Sequence, residues 1–98
     1  MKVKKAKIQG TYQSNEVVKH FTGIITLEER SDCIYFTWIA EDTDGNFLGS
    51  VSQPITYKII PEGVDRFEYA LNYTLNNVNS YRINRVKHIK VGSAVWQT

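Results

Sequence analysis

One cysteine, two histidines and two prolines are all that these 98 residues hold of the side chains that staple, ligate or kink a chain. Cys33 has no second cysteine to pair with, so no intramolecular disulfide can form. His20 and His88 lie at metal-ligand spacing neither from each other nor from Cys33, which removes every zinc pattern. No run of 18 apolar residues exists, so no helix of this sequence spans a membrane and no membrane partner is expected. Met1–Lys7 is basic but is not followed by the apolar stretch of a secretory signal, which makes the cytoplasm the expected compartment. Asn72-Tyr73-Thr74 matches a glycosylation sequon, a chance match if the chain is not exported. Gly-x-Gly-x-x-Gly, Walker A and Gly-x-Ser-x-Gly sequences are all missing. A non-enzyme without a cofactor is the expectation.

What is present describes an ordinary globular chain. Hydrophobic residues make up 42% and charged residues 22%, which excludes global disorder and a coiled coil. The length suits one domain, residues 1–98, able to hold a core without metal or disulfide. Ile, Asn, Lys and Tyr together supply 31 residues, a bias that suits the AT-rich genome of a low-GC bacterium or its phage. It bears on source and not on function.

Net charge is only +2, but its distribution is uneven. Residues 1–15 carry four lysines and no acid, and residues 81–98 carry Arg82, Arg85, Lys87 and Lys90 and no acid. All ten acidic residues lie between 16 and 80. Such asymmetry can mark a nucleic-acid face. Lysines on terminal strands also serve simply to discourage edge-to-edge aggregation.

Hydrophobic patterning gives the elements. Residues 2–12 alternate, with Ala6, Ile8 and Tyr12 on one face and Lys5, Lys7 and Gln9 on the other. Ser14-Asn15 turns the chain into a β-branched second strand, 16–27, where Gly23 suggests a bulge or bend. Residues 33–41 form the strongest strand. Asp44-Gly45 signals a hairpin into a return strand over 47–60, where Pro54 demands a bulge or an edge position. Residues 65–79 fit both periods, since Phe67, Tyr69, Leu71, Tyr73 and Leu75 alternate while Phe67, Leu71, Leu75 and Val78 keep helical spacing. Asp65 as N-cap, Glu68 completing a capping box and the staple pair Val64 and Tyr69 decide for a helix ending near Asn79-Ser80. A final strand over 83–91, with Ile83, Val86 and Ile89, precedes a bend at Gly92. The expected fold is α+β: a single two-layer domain, an antiparallel meander with one helix and a last strand, β-β-β-β-α-β. An all-β sandwich is the alternative. Crossover through the helix predicts a last strand that returns to the first strand's edge, parallel to a neighbour.

Chemistry has little to stand on. Asp42-Thr43-Asp44-Gly45-Asn46 imitates a calcium loop, but the sixth position is Phe47 and the twelfth Gln53, so a hairpin turn explains it. Cys33 needs a base, and only His20 on the neighbouring strand is a candidate; a small buried hydrophobe is the simpler role. Glu28-Glu29 and Glu41-Asp42 are adjacent pairs whose carboxylates diverge on a strand.

Twelve aromatic residues look too many for so small a core. Exposed rings, with Tyr35, Tyr69 and Tyr73 foremost, would mark a protein interface, unless the tyrosines snorkel at the core margin. The leading expectation is therefore a small non-catalytic binding protein acting through protein contacts, either by self-association as a homo-oligomer or as an inhibitor or adaptor of a larger partner. The other is nucleic-acid binding, with Lys5, Lys7, Arg85, Lys87 and Lys90 on paired first and last strands and Tyr12, Tyr81 or Trp96 as stacking residues. Acidic residues 28–32 and 41–44, in turns, are expected to lie away from that patch.

Overall fold

A computed structural model describes residues 2–81 and 87–97. Five strands and one α-helix follow in the order β1 (Val3–Ser14), β2 (Val17–Glu29), β3 (Cys33–Asp42), β4 (Phe47–Thr56), α1 (Arg66–Asn76) and β5 (Lys87–Trp96). The sheet is antiparallel throughout, in the order β4-β3-β2-β1-β5. The α+β architecture stands, and the all-β alternative falls because residues 66–76 are helical.

Turn chemistry sets the meander. Asn15 and Glu16 hold φ of 49° and 66°, the two left-handed residues of a tight hairpin between β1 and β2. At the β3–β4 turn, Asp42 Oδ1 accepts from the backbone N–H groups of Asp44 (2.9 Å) and Asn46 (2.8 Å). Its Oδ2 accepts from Asn46 Nδ2 at 3.1 Å, so the turn's own donors occupy the carboxylate. These bonds, the backbone N–H of Asn46 first, hold the Asp42 carboxyl below the usual carboxylate range.

Asp65 caps α1, accepting from the N–H of Phe67 at 2.9 Å and of Glu68 at 3.1 Å. The box is only half made. Glu68 Oε2 instead accepts from Trp96 Nε1 at 3.1 Å, tying the helix to the end of β5. Val64 is 45% exposed, so the staple covers little. The helix stops at Asn76, and a 3-10 turn over Val78–Ser80 carries the chain on. Its buried stripe is Phe67, Ala70, Leu71 and Thr74, with Leu75 at the margin. Thr74 is fully buried and donates to the Ala70 carbonyl, so the sequon's threonine is closed off.

The helix packs on one sheet face only, over β2 and β3, and shares a core with Ile8, Phe21, Ile25, Leu27, Ile34, Phe36, Trp38 and Ile55. Gly23 makes no bulge, since its ladders to β1 and β3 run unbroken. It is there for Trp38. A Cβ at 23 would lie 2.7 Å from the indole nitrogen. Pro54 sits, as the edge alternative requires, on outermost β4. That strand ends at Thr56, and Tyr57–Ile59 form a 3-10 turn that the continuous apolar pattern concealed.

The last strand corrects the sequence reading twice. It runs to Trp96, with Gly92 as the extra residue where Gly10 faces Val91 and Gln9 faces Ser93. It pairs with β1 as expected, but antiparallel. The crossover keeps the direction of β4 while passing over the whole width of the sheet. It therefore lands beside β1, which runs the other way.

Candidate functional site

The helix leaves the second sheet face uncovered, and strand pairing fixes what that face presents. Across its middle runs the row Val95, Lys7, Ile24, Ile39 and Ser50. One row along lie Lys5, Thr26, Thr37 and Ser52, with Ser52 Oγ donating to Thr37 Oγ1 at 3.2 Å. On the other side come Ser93, Gln9, Thr22, Glu41 and Phe47, then Lys90, Thr11 and His20, then Lys87, Gln13 and Val18. Threonine, serine and glutamine dominate, with lysine along one flank. Val95, Ile24 and Ile39 are 62%, 41% and 44% exposed and supply an apolar centre.

Four of the five basic residues expected to act together share this face: Lys5 and Lys7 from β1, Lys87 and Lys90 from β5. Arg85 lies outside the described residues. The lysines line β1 from Lys5 to the partner of Gln13, about 27 Å at the rise of an antiparallel strand. Two depressions lie along this flank. One, of about 460 Å³, is lined by Lys5, Lys7, Thr22, Ile24, Thr26 and Glu41. The other, of about 500 Å³, adjoins it at Thr22 and reaches His20 and Ser93. The acidic residues do not all stay away. β2 runs to Glu29, past the expected end at 27, which brings Glu28 onto the face, and Glu41, the last residue of the expected third strand, lies on it by alternation rather than in a turn. Arg30 stacks 4.1 Å over Tyr35 and lies 3.2 Å from Glu28, answering that carboxylate.

The aromatic surplus largely disappears. Tyr12, Phe21, Phe36, Trp38 and Phe67 are buried, six others are half-buried, and Phe47 alone is exposed, at 63%. Tyrosines at the core margin explain most of them. Tyr69 and Tyr73 stack on the helix with centroids 6.3 Å apart, on the opposite side of the sheet from Tyr35, so the three do not form one surface. The proposed stacking residues are also elsewhere. Tyr12 is buried on the core side, Tyr81 packs on Phe36, and Trp96 is held by Glu68. Lys4, too, faces the helix side, over the rings of Phe67 and Trp96 at 5.3 and 5.5 Å.

Cys33 and His20 sit at opposite ends of the sheet, about 30 Å apart along the strands, so that pair cannot cooperate. Burial, with Asp32 beside it, raises the Cys33 thiol above its usual pKa and keeps it protonated. No group of three or more metal-ligating side chains gathers among the described residues. No described helix is long and apolar enough to cross a membrane.

Sequence reasoning missed the contrast between the sheet's two edges. From Phe47 to Thr56, outermost β4 carries no charged side chain. Pro54 has no N–H to give β3, so its nitrogen faces outward, and alternation turns the backbone groups of Ser50 and Ser52 outward too. On β5 the outward N–H of Ile89 donates to Asn79 Oδ1 at 2.7 Å, while Asn79 Nδ2 donates to the Ile89 carbonyl at 3.0 Å. An asparagine ten residues upstream carries no pattern that points to such a role. No protein-family model, curated protein or solved structure matches the chain.

Proposed function

We propose that this chain is a non-catalytic binding protein that works through protein–protein contacts, its first partner being a second copy joined along β4. The uncharged outer edge of β4, regular from Gly49 to Gln53, carries the reading. An unpaired strand edge is a template for another strand, and chains that must stay single blunt it with charge. β4 has none, and Phe47, Leu48 and Val51 border it with apolar surface. The partner's identity follows from symmetry. In a two-fold pair each side chain near the axis meets its own copy, so any charge there would repel itself. An uncharged strand suits antiparallel pairing with itself, giving one sheet of ten strands. The inhibitor or adaptor form of the same reading would place a partner's strand on this edge instead.

Sedimentation at micromolar concentration tests it. The expected mass is twice the 11.3 kDa of one chain. Ser50→Lys with Ser52→Lys sets like charges across the seam and is expected to give monomer that still unfolds cooperatively, its midpoint no longer rising with protein concentration as that of the wild-type dimer does. Val95→Lys, on the far edge, is expected to remain dimeric. A wild-type chain that sediments strictly as monomer sinks self-association.

A further inference from the structure

We infer that the lysine flank of the open sheet face binds the sugar–phosphate backbone of a single-stranded nucleic acid. Lys5, Lys7, Lys87 and Lys90 come from the two ends of the chain onto adjacent strands, all exposed and all on the face the helix leaves bare. Among them the face presents Thr11, Thr22, Thr26, Gln9 and Ser93, which can donate to phosphate oxygens beside the ammonium groups. The adjoining depressions of about 460 and 500 Å³ run along this flank and give an extended strand a course between β1 and β2. Lysines act here as point charges rather than base readers, and among the described residues the flank presents no Phe, Tyr or Trp ring to stack on, while the His20 imidazole in the second depression offers at most one base a platform that does not read sequence. Binding is therefore independent of sequence. Glu41 borders the first depression and limits the number of phosphates taken there.

The surface is distinct from the β4 edge, so it operates with or without the dimer, and the salt dependence tells the two cases apart. Four lysines on a single strand give a slope of about −2.8 in log affinity against log salt, so affinity falls about 50-fold between about 50 and about 200 mM salt. Two chains on one strand double that slope.

The test is fluorescence anisotropy with a labelled mixed-sequence single strand, and the same sequence as duplex, at those two salt concentrations. Wild type is expected to prefer the single strand. Lys5→Gln, Lys7→Gln, Lys87→Gln and Lys90→Gln together are expected to remove the binding, while Lys58→Gln, off the face, leaves it intact. Wild type diluted until it sediments as monomer retains the site with the shallower slope. No single-strand binding at the lower salt overturns the inference, as does a quadruple variant that binds like wild type. Equal or tighter binding of the duplex overturns the choice of a single strand. None of these results depends on whether wild type sediments as a dimer.

Discussion

The two edges of one sheet are treated in opposite ways. β5 is charged at Lys87 and Lys90, bulged where two of its residues face Tyr12 and again at Gly92, and capped at Ile89 by the Asn79 amide. β4 has one proline near its end and an irregularity at Ala40/Glu41, with its middle, Gly49 to Gln53, neutral and regular. Bulges, charges, prolines and side-chain caps are the ordinary means of closing an edge, and most of them gather on β5, while β4 has only Pro54 and the bulge at Leu48, near its two ends. A sheet with one closed and one open edge can grow once and then stop. On the proposed self-association, such a sheet would form a dimer rather than a fibre.

Disturbing the closed edge has the largest expected effects. At Gly10 the backbone of β5 comes so near that an added Cβ would fall 2.0 Å from the Lys90 carbonyl oxygen and 2.9 Å from the Phe21 ring. Backbone must move to admit it, so Gly10→Ala is expected to cost about 3 kcal/mol in urea unfolding. Amides of β5 should then exchange before those of β3. Gly92 is the internal control. A Cβ there meets only the Gln9 carbonyl oxygen at 3.6 Å, so Gly92→Ala is expected to stay within about 0.5 kcal/mol of wild type. Equal losses at both glycines would show that the close approach at Gly10 is not what matters.

Asn79→Ala comes next. It strips two hydrogen bonds from the Ile89 backbone, for about 2 kcal/mol, and reopens the edge they close. Species larger than the dimer, growing with concentration, are expected in sedimentation. A variant as stable as wild type with an unchanged mass would show that Asn79 does not guard β5.

A smaller effect follows from acid, because the closed edge is also tied to the helix through Trp96 and Glu68. The N–H of Glu68, then that of Phe67, lowers the Asp65 pKa. The native state thus prefers the charged form. Its contribution is complete above the unfolded pKa near 4 and fades as pH falls through the lower native value. Asp65→Asn keeps a capping oxygen but cannot titrate, so its Tm is expected to fall less steeply than that of wild type below about pH 4. Parallel curves would remove Asp65 from the acid response.

The framework was legible because local chemistry agreed with tertiary structure: alternation in 2–12, Asp44-Gly45 as hairpin, Asp65 as cap, Pro54 at an edge. The misreadings each turned on a partner distant in sequence. Gly23 looked like a bend because nothing near it announces the Trp38 ring. Glu68 fits a capping box by spacing, yet Trp96, 28 residues on, takes its carboxylate. The aromatics looked too numerous because a half-buried ring counts as exposed until its neighbours are known. Lys5 and Lys7 of the candidate face were found by alternation, and Lys87 by supposing that the first and last strands pair, but Lys90 reaches that face only through the bulge at His88 and Ile89, which no local pattern announces. Glu28 was missed because the end of β2 is poorly marked, and Glu41 because it was grouped with the turn acids although alternation from Ile39 places it on the face. The edges were least visible of all, since whether a strand is outermost is decided by topology and not by its own residues.

The smallest effect expected concerns His88, whose φ is 53° where Lys87 faces Gln13 and Lys90 faces Thr11. Two residues, His88 and Ile89, oppose Tyr12 alone, and bulges of this kind usually place glycine at the left-handed position. A residue with a Cβ loses about 1–2 kcal/mol there, whereas glycine loses about 0.5–1 kcal/mol of chain entropy on folding. The difference leaves His88→Gly more stable by about 0.5 kcal/mol, and His88→Val, β-branched at the same φ, less stable than wild type by urea unfolding. Neither change touches β4, so both variants are expected to sediment with the wild-type mass. A destabilised glycine variant would mean that the imidazole itself holds the bulge, and the strain argument at this edge would fall.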